Sequence, residues 1–154
     1  MNHRVINAYK NLSNQTAVSE AGPLELIVMV YKRLIENLRD AQSQIEKGLD
    51  AEQSVAKALD LIEKGLMAAL DPDRGGDIAK NLAALYDWST REILTARIKR
   101  SPEQLTGVIE VFKSLESAWE EIATMRAQDL AKEGTAYVWL HPQPPHVRPF
   151  FLLK

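Results

Sequence analysis

The residues best suited to chemistry are scattered rather than assembled. His3, His141 and His146 are the only histidines, and none follows a glutamate at the i, i+3 spacing that di-iron helical bundles use. The loop Asp71-Pro72-Asp73-Arg74-Gly75-Gly76-Asp77 is similar in outline to a calcium loop, but Pro72 is ill placed and position twelve is Leu82 where a bidentate glutamate is required. Gly75-Gly76 ahead of a helix could present backbone N–H groups to a phosphate, yet no Lys-Ser/Thr follows and Asp77 would repel the anion. A turn with a helix cap is the simpler reading of that loop. No serine nucleophile motif and no histidine beside a candidate base occur in the folded region. The chain reads as a binding protein and not an enzyme, with no cofactor and no metal.

Bulk properties narrow the binding classes. The 154 residues are the size of one ordinary domain, and 45% apolar content suffices for a core. Nineteen basic and twenty-one acidic residues leave a net charge of −2 without a basic stripe, which argues against nucleic acid and anionic membrane surfaces. Cysteine is absent, so no disulfide framework or thiolate chemistry is available. The N-terminal residues lack a signal-type apolar run, and no stretch approaches the roughly 18 apolar residues of a spanning helix. A cytoplasmic protein without membrane insertion is expected.

Four helical patterns must position whatever the chain binds. Leu24, Ile27, Val28, Tyr31, Leu34, Ile35, Leu38, Ala41 and Ile45 recur at three- and four-residue steps, with Pro23 suited to the first turn and Gly48 to the stop. Asp50 and Gln53 are spaced as a capping box for a second helix carrying Val55, Leu59, Ile62, Leu66 and Ala69. A third shows Ile78, Leu82, Leu85, Ser89, Ile93 and Ala96, with Asp77 at its start and Arg97, Lys99 and Arg100 at its end, as the helix dipole favours. Ser101-Pro102-Glu103-Gln104 supplies a cap, a first-turn proline and a capping-box glutamine for a fourth, which runs through Leu105, Val108, Phe112, Leu115, Trp119 and Ile122 to about Ala131.

Short connections between long amphipathic helices predict an all-α fold, an antiparallel up-down four-helix bundle over residues 22–133. An N-terminal arm, residues 1–21, carries the apolar cluster Val5, Ile6, Ala8, Tyr9 and Leu12 and is expected to form a short helix or remain loose. An irregular proline-rich tail, residues 134–154, has four prolines within eight residues and four of the ten aromatic side chains. So apolar a tail packs on the bundle, meets a partner, or is an atypical terminus of this strain's sequence, and the residues leave all three open.

The helices also hold more apolar surface than four stripes need. Leu26, Met29 and Val30 lie roughly 100° to 160° from the stripe centred on Tyr31 at 100° per residue. Leu61, Gly65 and Ala68 flank the second stripe, and Leu94 and Ile98 lie off the third. Gly65 inside a helix costs about 1 kcal/mol against alanine, which suggests a close backbone approach. Such residues could fill a broad core or a self-association seam, be covered by the N-terminal arm, or form grooves for a partner helix read as i, i+3, i+4 anchors. Met29 and Met67 suit an adaptable surface.

The order of features from Ile6 to Ile122 resembles the flagellar export chaperone family FliS. The resemblance rests on Ile6 and Tyr9, on Pro23, Leu26 and Ile27, and on Met29, Val30 and Tyr31. Its densest part is Ile62, Gly65, Leu66, Leu70, Asp71, Gly75, Gly76, Ile78, Ala79, Asn81, Leu82, Leu85, Tyr86 and Asp87, and Ala118, Trp119 and Ile122 close it. Lys32 departs from the acidic residue often found after the helix-1 tyrosine, and the tail from Gly134 has no counterpart. The resemblance implies a client, the disordered C-terminal segment of flagellin, held unpolymerised until export, with the flagellar anti-sigma factor and an export-gate protein as further partners. With the off-stripe residues it points to client contacts at Ile6, Tyr9, Leu26, Met29, Val30, Leu61, Gly65, Ala68, Leu94 and Ile98. A helical adaptor for another secreted or regulatory segment, or a self-associating homodimeric bundle, is the alternative.

Overall fold

The computed structural model describes residues 22–133. Within them α1 spans Pro23–Glu46, α2 Glu52–Asp60, a π-helical segment Leu61–Met67, α3 Pro72–Lys99 and α4 Glu103–Glu133. The main seams join α1 to α2, α2 to α3, α3 to α4 and α4 back to α1, a ring in which each helix packs on its sequence neighbours. This is the up-down four-helix bundle that the four stripes require. The α1/α4 seam is the most extensive, and α4 packs more loosely on α3. The expected N-terminal helical arm and the irregular tail lie outside the described residues.

All nine residues of the α1 stripe are buried. Burying each large aliphatic side chain contributes on the order of 1.5–3 kcal/mol, which is why a 24-residue helix with one continuous apolar face holds its place. The helix ends in a Schellman motif: Gly48 N–H donates to the Ile45 carbonyl at 3.0 Å, and Leu49 N–H to that of Gln44 at 2.9 Å. A second Schellman motif closes α3, with Ser101 N–H on the Ala96 carbonyl at 3.0 Å, but its left-handed position is held by Arg100 at φ 50°.

Three local expectations are corrected. Asp50 forms no capping box. Ala51 is the N-cap of α2 without a side-chain cap bond, and the Asp50 carboxylate instead accepts from Arg97 Nε at 3.1 Å and Nη2 at 3.2 Å. Ser101 likewise donates to the Glu103 carboxylate at 3.0 Å, and Gln104 Nε2 reaches Glu92 on α3 at 3.0 Å. Both side chains find a charged acceptor, which makes a stronger bond than a backbone amide at an exposed cap.

Ile78, expected in the α3 stripe, is 55% exposed, and the buried positions run Ala79, Tyr86, Ser89, Ile93 and Ala96. The cause is the opening of α3. Asp71 caps Asp73 and Arg74 N–H at 3.2 and 3.3 Å, giving one turn, after which Gly76 leaves helical geometry at φ 54°, ψ −133°. Only glycine adopts that conformation at little cost, and it resets the phase of the helix that follows.

Candidate functional site

No catalytic arrangement exists among the described residues, and no group of three or more His, Asp or Glu there could hold a metal ion. What the bundle offers is shape and apolar surface. Its centre is closed by an aromatic cluster: Phe112 stands with its ring centroid 6.0 Å from Tyr31 and 6.3 Å from Tyr86, and the two tyrosine hydroxyls meet at 2.5 Å. Burial pushes the Tyr31 phenol up to about 12, against the opposing effect of hydrogen bonds with Tyr86 and Trp119. Buried side chains fill this centre, so apolar surface for binding is to be sought outside it.

Where α1 meets the π segment, the structure places six of the expected residues: Leu26, Met29 and Val30 on α1, and Leu61, Gly65 and Ala68 in or just after that segment. A Cβ built on Gly65 would lie 3.1 Å from Val30 Cγ1, so the missing side chain lets the two helices close. Val30 itself is fully buried and belongs to the core, which corrects its assignment to an outer patch. Its methyl groups have room there because the π segment opposite presents a glycine. Gly65 is buried with it, while Leu26, Met29, Leu61 and Ala68 stay half-buried around the contact and pack against the core from its rim.

The π-helical geometry of Leu61–Met67 escaped the sequence reading, which carried one α-helical stripe through to Ala69. Wider turns of this kind recur at functional sites. The signal available beforehand was Gly65 itself, a helix-interior glycine with no turn nearby. Met67, at the end of the segment, is 38% exposed.

Leu94 and Ile98 sit elsewhere, one turn apart on α3, at 40% and 80% exposure. Their helix is fixed against α2 by the Asp50–Arg97 pair, in which hydrogen bonding from the guanidinium lowers the Asp50 pKa and raises that of Arg97. They do not join the group where α1 meets the π segment. Ile6 and Tyr9 fall outside the described residues. Lys32, the departure noted in α1, reaches across the largest seam to Glu120 at 3.4 Å and Glu116 at 4.0 Å, pairing α1 with α4.

A family profile described as flagellar protein FliS matches residues 5–126, most of the chain. The chain belongs to the FliS family. Flagellar secretion chaperone FliS of Vibrio cholerae is 36% identical over 120 residues, covering 76% of this chain and 87% of that protein. Its counterpart in Salmonella typhimurium is 32% identical over 120 residues, covering 77% and 89%. Flagellar secretion chaperone FliSB of Pseudomonas aeruginosa is 29% identical over 122 residues, covering 78% and 96%. The FliS match thus spans all but the last turns of the bundle and stops short of the tail. Among the described residues no helix is long and apolar enough to cross a membrane.

Proposed function

We propose that the chain is a cytoplasmic secretion chaperone that captures the C-terminal segment of flagellin on its outer apolar surfaces and so keeps it from polymerising before export. The observation that carries this reading is the half-buried group Leu26, Met29, Leu61 and Ala68 around the Val30–Gly65 contact, in a chain of the FliS family whose interior is fully packed. Leu94 and Ile98 form a second anchor on another face. Two separated anchors suit an extended client that wraps the bundle, because ordering a disordered segment costs about 2–5 kcal/mol or more and one short contact would not repay it. Ile6 and Tyr9 in the arm, residues 1–21, complete the proposed client surface, with the arm lying over the Leu26 and Met29 edge when no client is bound. The flagellar anti-sigma factor and an export-gate protein are proposed as further partners on the family likeness alone.

The test is capture of the flagellin C-terminal segment by titration calorimetry, with helical circular dichroism recorded on the same samples. Leu26→Asp and Leu61→Asp should each weaken capture at least tenfold with little loss of helix, since neither side chain is fully enclosed. Wild-type affinity in both variants would remove the surface where α1 meets the π segment from the reading.

A further inference from the structure

The α3/α4 seam, less extensive than the α1/α4 seam, is bordered by a second set of partly exposed apolar side chains. Gln104 on α4 and Glu92 on α3 are hydrogen-bonded at 3.0 Å, which marks the sides of those helices that face each other. Leu85 and Trp88 lie on the Glu92 side of α3, with Ile78 two turns before Leu85 and the polar Asn81 between them, and positions 111, 115, 118, 122 and 125 recur on the Gln104 side of α4 by steps of three and four. The α4 row is apolar throughout. Ile78 is 55% and Met125 56% exposed, and Trp88, Leu115 and Ile122 are only partly buried against the core. Nothing in the client reading above uses them.

We propose that residues 134–154 of this chain fold back along the α3/α4 seam, with Trp139 and the Phe150–Leu153 cluster covering the apolar row between Met125 and Trp88. Reach, composition and charge each favour this occupant. The segment leaves α4 after Glu133, eight residues or about 12 Å of helix beyond Met125. Its 21 residues can extend about 70 Å, several times the roughly 15 Å of α3 between Ile78 and Trp88. Its apolar residues form two blocks, 136–140 and 150–153, separated by the proline-rich spacer, so two contacts can be made without a continuous helix.

The segment also carries Arg148 and Lys154 and no acidic residue. The end of the bundle it leaves has an acidic balance: Asp71, Asp73 and Asp77 at the start of α3 and Glu120, Glu121 and Asp129 late in α4 stand against Arg74, Lys80 and Arg126, with Asp71 paired to Arg74 and Glu120 to Lys32. The family match ends at residue 126, so this cover would be a feature of this chain rather than of the family.

Because the chain has no cysteine, Lys154→Cys gives one clean attachment point for a nitroxide in the full-length protein. Paramagnetic broadening of backbone amides is then read on the labelled chain and on a mixture of labelled and isotope-enriched unlabelled chains. Docking is expected to attenuate the amides of residues 78–88 and 111–125 at least twofold more than those of α2, within one molecule only. The further changes Phe150→Ser and Phe151→Ser should abolish that pattern. Uniform or absent attenuation, attenuation centred on α1 and α2, or the pattern appearing in the mixed sample, which would mean a second copy, each overturns the proposal.

Discussion

Tyr31 and Tyr86 tie together two helices that otherwise face each other diagonally across the bundle, hydroxyl to hydroxyl at 2.5 Å, with both rings against Phe112. The α1/α3 diagonal has no main seam of its own, so this bond fixes the rotation of both helices about their axes. Buried polar bonds of this kind specify one packing arrangement where an all-aliphatic centre would tolerate several.

Burial of the Tyr31 phenol sets an alkaline limit on stability. The folded-state pKa of Tyr31 is raised from 10.0 to about 12, so the unfolded chain loses its phenolic proton first. The contribution is fully present below pH 10 and is lost as the pH rises toward 12. Denaturant midpoints should fall across that window in wild type and less steeply in Tyr31→Phe. The substitution should itself cost about 1–2 kcal/mol at neutral pH through the lost hydrogen bond.

Gly65 and Val30 should behave as a coupled pair. Gly65→Ala gains about 1 kcal/mol of helix propensity but places a methyl group 3.1 Å from Val30 Cγ1, and the two effects should nearly cancel. Val30→Ala alone removes fully buried methyl groups and should destabilise by about 1–3 kcal/mol. In the double variant the new methyl occupies part of the vacated space, so a denaturation cycle should show a favourable coupling of at least 0.5 kcal/mol.

Arg100 is the one non-glycine residue with positive φ among the described residues, at the position where Schellman motifs usually carry glycine. Arg100→Gly should therefore raise stability by about 0.5–1 kcal/mol, read as an upward shift of the thermal midpoint. No change would mean that the arginine side chain repays its backbone strain through contacts of its own.

Asp50 and Arg97 join the loop before α2 to the last turns of α3 through two parallel bonds. The Asp50 pKa is lowered by the guanidinium, so the pair contributes above the ordinary carboxylate pKa and loses its effect as the pH falls through the lowered value. Asp50→Asn should reduce stability at pH 7 but not at pH 2. The difference should shrink in high salt because both side chains meet solvent.

Much of this was legible in the residues. The α1 stripe could be read completely because 24 residues run without a break and one face carries every large apolar side chain but Leu26, Met29 and Val30. α3 was read one face out at its start because Gly76 changes the phase of the helix after Pro72, and a periodicity count that begins at Ile78 cannot register a backbone angle. The π segment was hidden for the same reason, since an extra residue per turn leaves no mark on composition. Asp50 matched a capping box in spacing, but its partner lies 47 residues away, and only the folded chain brings Arg97 to it. Of the outer surface, Leu26, Met29, Leu61 and Ala68 could be found as apolar residues off the stripe. Val30 could not be separated from them without knowing that Gly65 stands opposite.

The dominance of the α1/α4 seam has a consequence for how the chain matures on the ribosome. Its cross-links, such as Lys32 to Glu120, span 88 residues of sequence. At roughly 5–20 residues per second, translation leaves the apolar face of α1 without its principal neighbour for several seconds. A nascent chain halted before α4 would display the part of that face which α4 covers, so truncated products of this gene should be strong substrates for holding factors and proteases. The bundle is completed from the C-terminal side, and its assembly is timed by the emergence of the last helix.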